Sequence, residues 1–431
     1  MTTQTLTART GLTREAVLGL AEQRREPDWL RRLRLAAFEH FERTPLPDQR
    51  TEGWRRTSLR GLPLHEVNPN LDGNGQVVWV DDGLPRQAGA MHVAFHNGER
   101  VGQAPSAARV RVLEVREALA DAALAERVRQ HFGQVQPFDL DKFAALHYAF
   151  FNAGVVVVVP RGAAIEEPVW ISHRFDGSGG APLVHTLVLL EDASELRLVE
   201  DFSGAGQAIA SGVVEQVVGN DAHLRYVQLQ RWSTDVWNFS TQRSLLGSNA
   251  SLRTLNVAVG ARMARNTVQV LLEGRGSQAD LLGIVDARGR QHVDFQTLQE
   301  HSGDATRSDL VIHDALRDRT SANFTGLIRI NKSARQTESS QEQKNILLSD
   351  HARANSDPKL EILNNDVVRC THGAAVGPVD EEMVFYLQAR GLERATAEQL
   401  IVDGFFQSVL EKIGHTGVQQ AVWSAIADRN V

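Results

Sequence analysis

A leucine returns at a near-constant interval through the middle of the chain: Leu196, Leu224, Leu252, Leu281 and Leu310 are separated by 28, 28, 29 and 29 residues. The neighbours repeat with it. Ala222, Ala250 and Ala279 lie two positions before their leucine, Gly219, Gly247 and Gly276 five before it, and Arg197, Arg225 and Arg253 directly follow three of the leucines. Glycine permits a tight corner, and leucine then opens an inward-facing strand. A fixed period of this size in a strand-rich region predicts a solenoid whose coils stack to bury one continuous core. A β-sandwich with coincidental spacing is the competing architecture.

The strand texture begins at Gly154, where Val155 to Val159 form a β-branched run closed by Pro160, and continues to about residue 370. Before it the chain reads as helix-rich. Leu30, Leu33, Ala37, Phe38 and Phe41 recur at helical steps with Arg31, Arg32 and Arg34 on the other face. Pro27 and Asp28 suit the start of that helix, and Pro45 and Pro47 stop it. Further helical patterns run from Val112 to Phe132 and through Phe143, Leu146 and Phe150, with a strand near Val77 to Val80. After Gly377 helical texture returns. Asp380 can cap a helix with Glu381 and Glu382 in its first turn and Arg390 before Gly391 at its end. Thr396 and Gln399 have capping-box spacing for the next helix, with Leu400, Ile401, Val409 and Ile413 on its buried side, and Val418, Val422 and Ile426 mark a last short one. The expected division is a helix-rich domain over 1–153, a β-helix core over 154–376 and a helical domain over 377–431.

The composition, 42% apolar and 23% charged over 431 residues, is that of a folded chain. Lys and Arg total 46 against 53 Asp and Glu, a formal charge of -7, which argues against nucleic acid as the main partner. Met1 to Val17 holds no apolar core of signal-peptide length, and no segment approaches ~18 uninterrupted apolar residues, so a cytoplasmic protein without membrane contact is expected. Cys370 is the single cysteine. It leaves no intrachain disulfide, and the chain alone lacks the roughly four thiolates that hold an iron–sulfur cluster.

No Gly-x-x-x-x-Gly-Lys-Ser/Thr loop, dinucleotide fingerprint, Cys-x-x-Cys or His-Glu-x-x-His occurs. The strongest chemical signal is Cys370-Thr371-His372-Gly373. If Asp366 to His372 is a strand, Asp366, Val368, Cys370 and His372 project to one side and set a thiol beside an imidazole. Such a pair offers two metal ligands where a closed site wants about four, so the remainder would come from a partner chain. The competing reading of Cys370 is a small buried hydrophobe. A second set, His292, Asp294 and His301 with His313 further on, reads either as metal or proton chemistry or as polar residues on the outer face of a coil. Asp201, Asp286 and Asp294 could serve a sugar-cleaving β-helix, but nothing in the sequence fixes their separation.

Ser349-Asp350-His351-Ala352-Arg353-Ala354 and Pro358-Lys359-Leu360-Glu361-Ile362 closely resemble the carboxy-terminal half of the SufB/SufD family. The resemblance continues through Cys370-Thr371-His372-Gly373-Ala374, Asp380-Glu381-Glu382, Phe385-Tyr386-Leu387 and Arg390-Gly391. Weaker family-like text stands at Pro45-Leu46-Pro47, Glu52-Gly53-Trp54-Arg55 and Phe150-Phe151-Asn152-Ala153-Gly154. The resemblance implies a right-handed parallel β-helix between helical domains. It also implies a non-catalytic scaffold for iron–sulfur cluster assembly, in a complex of SufB, SufD and the ATPase SufC. Within the family SufB reads His-Glu-Ala where this chain has His372-Gly373-Ala374, and SufB carries additional cysteines, so the chain follows the SufD branch. His372 and Cys370 would then face SufB where a nascent cluster or iron is held, with no cofactor bound by the isolated chain. Phe385, Tyr386, Leu387, Arg390, Gly391 and Phe405 would receive SufC, and in isolation the chain could form a homodimer. Competing readings are a SufB-like scaffold, which the single cysteine disfavours, a purely structural homodimer, and a polysaccharide-active β-helix, which would be exported and so need an export signal.

Overall fold

The computed structural model describes residues 11–69, 82–86, 89–103, 109–177 and 179–427. From Ala153 the chain lays strands alternately into two parallel sheets, because each run of alternating apolar residues ends in a corner of Gly, Asn, Asp or Ser. Sheet A takes β4 (Ala153–Val159), β6 (Leu183–Leu190), β8 (Ala208–Val218), β10 (Val236–Leu246), β12 (Met263–Leu272), β14 (His292–His301), β16 (Ser321–Ile330) and β18 (Arg353–Ile362). Sheet B takes β5 (Val169–Asp176), β7 (Glu195–Ala205), β9 (His223–Trp232), β11 (Ser251–Ala258), β13 (Gln278–Ala287), β15 (Arg307–Leu316), β17 (Thr337–Leu347) and β19 (Val367–Pro378). Two strands per coil give a β-solenoid of about eight turns with one core between its sheets.

All five repeat leucines are buried at 2% exposure or less and face this core. Their ladder changes column midway. Leu196 pairs with Leu224 and Leu224 with Leu252, but Leu252 pairs with Ala279, while Leu281 lies beside Thr254 and Leu310. The coil after Leu252 is shorter than the leucine spacing, and a two-residue slip keeps a side chain on the same face. The corner glycines report the same slip: Gly219, Gly247, Gly274 and Gly303 stack in succession, and Gly276 is not in that column. A Cβ on Gly274 would lie 2.0 Å from the Gly247 backbone, and one on Gly303 2.6 Å from the Glu273 carbonyl. Only glycine lets successive corners stack this closely.

The amino-terminal end of the solenoid is closed by the chain itself. β1 (His92–His96) continues sheet B beside β5 and is followed by the antiparallel β2 (Glu99–Gln103), while the antiparallel β3 (Arg111–Glu114) borders β4 in sheet A. The helices α1 (Arg14–Gln23), α2 (Asp28–Arg43), α3 (Val115–Ala120), α4 (Ala122–His131) and α5 (Lys142–Phe150) share a core with the outer face of sheet A as far as Met263 on β12. Two expectations for this region change. The Val112 to Phe132 pattern opens as strand β3 and is split at Asp121, whose carboxylate accepts the amides of Ala123 and Leu124 to cap α4. Arg34 is buried rather than on a polar face, because Glu26 and the carbonyls of Ala149 and Phe151 satisfy its guanidinium. α1, capped by Thr13, was not signalled. The strand near Val77 to Val80 lies outside the described residues.

At the other end α6 (Glu381–Ala389), α7 (Arg394–Leu410) and α8 (Thr416–Ala427) follow β19, and α7 and α8 cover the outer face of sheet B. Asp380 caps α6 as expected, and Gly391 ends it at a φ of 93°. α7 begins at Arg394, which forks onto Glu381 at 2.6 and 2.9 Å, so Thr396 sits inside the first turn instead of capping it. Its buried stripe is Ala397, Val402, Phe406, Val409 and Leu410, and Leu400 faces solvent.

Candidate functional site

The carboxy-terminal end of the solenoid has no cap among the described residues. β18 and β19 are the outermost strands of their sheets, and each has a parallel neighbour on one side only. Their inward side chains therefore form a cross-section of the core that opens to solvent. On β18 these are Ala354, Ser356, Pro358, Leu360 and Ile362, in register with Ala322, Phe324, Gly326, Ile328 and Ile330 beneath them. Leu360, Ile362 and Val376 are 39, 43 and 45% exposed, where the same columns one coil deeper are buried.

Cys370 and His372 stand in the middle of this cross-section. Cys370 lies over Ser339 and His372 over Gln341, both buried, so the two share the inward face as their spacing predicts. Their columns are those of the leucine ladder: Leu252, Ala279, Ser308 and Ser339 lead to Cys370, and Leu281, Leu310 and Gln341 lead to His372. Val368 departs from the expected face. A bulge places it as the extra residue between Val367 and Arg369, and it turns out to solvent while Val367 packs inward against Ile328, Ile330 and Ala334.

Polar side chains line the floor of the site. Ser308 and Ser339 hydroxyls meet at 2.8 Å, and the Gln341 amide donates to Gln299 at 2.9 Å, leaving its own carbonyl oxygen without a partner. His301, drawn into this interior, contacts Thr306 and Ser308 at 2.7 and 2.9 Å, and burial lowers its pKa to about 4. Half-burial pushes the Cys370 thiol up. Thiol and imidazole supply two donors, and no group of three or more His, Cys, Asp or Glu side chains among the described residues is placed to hold a metal ion.

The other candidates do not join this site. His292 and Asp294 do meet, on the outer face of sheet A, where Thr57 donates to Asp294 at 2.6 Å and contacts His292 at 3.0 Å. Arg265 neutralises Asp294, and Ser321 holds the other nitrogen of His292. His313 is on the opposite sheet, stacked 4.1 Å from Phe405 and donating to the Phe405 carbonyl at 2.9 Å. Asp201 is clamped by Arg231 and Asp286 by Arg317 on sheet B, so no two of the three aspartates face each other across a substrate groove. The strap of residues 47–57 that brings Thr57 to sheet A was not foreseen as an element. Its one signal was the Glu52-Gly53-Trp54-Arg55 text.

On α6, Phe385 and Tyr386 are 72 and 55% exposed beside Met383, with Arg390 lying over the Tyr386 ring. Leu387 packs inward, Gly391 serves as the helix stop, and Phe405 is committed to His313. No helix among the described residues is long and apolar enough to cross a membrane.

Residues 173–405 match the family model described as SUF system FeS cluster assembly, SufBD core domain. An iron–sulfur cluster assembly SufBD family protein of Mycobacterium tuberculosis is 31% identical over 293 residues, covering 66% of this chain and 73% of that one. The Bacillus subtilis assembly proteins SufD and SufB are each 25% identical, SufD over 98% of this chain and 99% of its own, SufB over 94% and 90%. With the solenoid, its helical flanks and a family match spanning more than half its length, the chain belongs to the SufB/SufD family of iron–sulfur cluster assembly proteins.

Proposed function

We propose that the chain is the SufD-type member of a cytoplasmic assembly complex, a non-catalytic scaffold that pairs through its open end with a SufB-type chain. The observation that carries this reading is the uncapped cross-section of the core, with apolar residues around Cys370 and His372. An obligate interface resembles a domain core cut in half, and paired strand edges supply its hydrogen bonds. The cluster is cargo at this junction. Two donors from this chain need others from the partner, and neutral imidazole and thiolate both suit iron. The single cysteine and the His372-Gly373-Ala374 text favour SufD over SufB. The exposed Phe385, Tyr386 and Met383 on α6 form the apolar patch on which the ATPase SufC docks, which accords with the absence of a P-loop from this sequence.

The test is co-expression with the SufB and SufC partners and anaerobic purification of the complex. Ile362→Lys should abolish pairing with SufB while the isolated chain stays folded. His372→Ala should preserve the complex but lower its bound iron and sulfide. Full cluster content and cellular activity in the His372→Ala complex would remove His372 from the mechanism, and normal pairing by Ile362→Lys would relocate the interface.

A further inference from the structure

A cleft of about 650 Å³ separates the strap from the outer faces of β14, β16 and β18, on the flank of sheet A. The strap is a built element, not a loose loop. The Asp48 carboxylate accepts the amides of Arg50 and Thr51 at 2.8 and 3.2 Å, Trp54 is buried against Phe143 and Phe239, and Thr57 is tied to Asp294. Held in this way, it lines one wall of the cleft with Arg50, Arg55 and Arg56, and Lys359 on β18 lines the other.

The Arg55 and Arg56 guanidinium groups have no ion-pair or hydrogen-bond partner among the described residues, while Arg50 lies in the field of the Asp48 carboxylate. Glu52 and Asp357 are the carboxylates at the rim, both drawn loosely toward Lys359 at 3.9 and 3.7 Å. Asp294 on the floor is already neutralised by Arg265. With Asp48 counted against Arg50, the cleft keeps a surplus of one positive charge on a fixed frame, carried by Arg55 and Arg56, with the Thr325 hydroxyl and Asn323 amide beneath. Repulsion among like charges is relieved only by solvent or by an anion, and a guanidinium fork matches an oxyanion in two parallel hydrogen bonds. The volume lies in the range of small-ligand sites.

We propose that this cleft binds a small, multiply charged oxyanion of about the size of a mononucleotide or a tricarboxylate. Binding is read by calorimetry on the full chain at about 50 mM salt, where surface charge is only partly screened. Inorganic pyrophosphate and citrate are the two probes. One-to-one saturation by either is the expected result, and which one binds tells a phosphate ligand from a carboxylate ligand. Arg55→Ala with Arg56→Ala should weaken that binding by about tenfold or more. Lys359→Glu, on the opposite wall and a different element, should do the same, and Arg329→Ala on the same sheet outside the cleft should not. Saturation by neither probe, or affinity that survives both the arginine and the lysine changes, would overturn the assignment.

Discussion

The two ends of the solenoid are finished in opposite ways. At the first coil the chain turns β1 to β3 back along both sheets and lays five helices over sheet A, so Val155, Val157 and Val169 are as buried as any residue in the molecule. At the last coil the same kind of inward column ends in Leu360, Ile362, Cys370, His372 and Val376 with nothing above it among the described residues. Exposed strand edges and an exposed core section are liabilities that folded proteins cover. A chain that seals one end with about a third of its length leaves the other, among the described residues, as the face that the proposed pairing would cover.

One truncation made at both places sharpens the contrast most. Leu252→Ala, in the sealed part of the ladder, should cost about 2–5 kcal/mol of unfolding free energy. Equal losses there and at Leu360→Ala would mean that the open end is packed in the isolated chain.

A buried charge tests the interior behind the open end. Asp314 faces inward, accepts from Gln343 at 2.8 Å, and leaves one oxygen without a partner; burial raises its pKa to about 7. The folded state then holds a proton that the unfolded chain has released, so this group weakens the fold progressively as pH rises from about 4 to about 7. Asp314→Asn should gain stability over wild type by an amount that grows through that window and levels off above it, up to about 4 kcal/mol. His301 has the opposite sign. Its depressed pKa makes acid destabilising between about 6.5 and 4, so the two slopes largely offset one another in wild type, and the aspartate change should expose the acid lability. Denaturant midpoints at pH 5 and 8 decide it: a constant difference between variant and wild type would place the Asp314 carboxylate in water.

Among the described residues the strap is the last covering of sheet A toward its open end. Thr57→Ala removes a hydroxyl donor to a buried carboxylate and should cost roughly 1.5–3 kcal/mol, with faster amide exchange over residues 47–57. The smallest effect is expected at the rim, where Leu360→Ala should change the stability of the isolated chain by less than about 0.5 kcal/mol yet weaken pairing measured by sedimentation.

The period of the solenoid was readable because stacking demands it. The column slip after Leu252 was not, since moving two residues along a strand leaves a leucine facing the same core. Cys370 and His372 were placed on one face by alternation alone, whereas Val368 was misplaced because a bulge depends on the neighbouring strand, here Thr337 and Glu338. The open end could not be read at all: β18 carries the same alternation as β16, and whether another coil lies above it is not a local property. The strap was hidden for a related reason, as Thr57 and Asp294 are 237 residues apart.

The glycine corners Gly219, Gly247, Gly274 and Gly303 have a mechanical meaning. Backbones that already touch cannot be pushed closer, so along this edge the coils form a stack that resists compression, and eight coils at strand spacing fix an axial length of about 35 Å. A load applied to the helices clamped across β9 to β15 is not absorbed by bending there. Under the proposed reading, a displacement of those helices would reach Cys370 and His372 through a stiff stack, and the chain would act as a strut as well as a pairing surface.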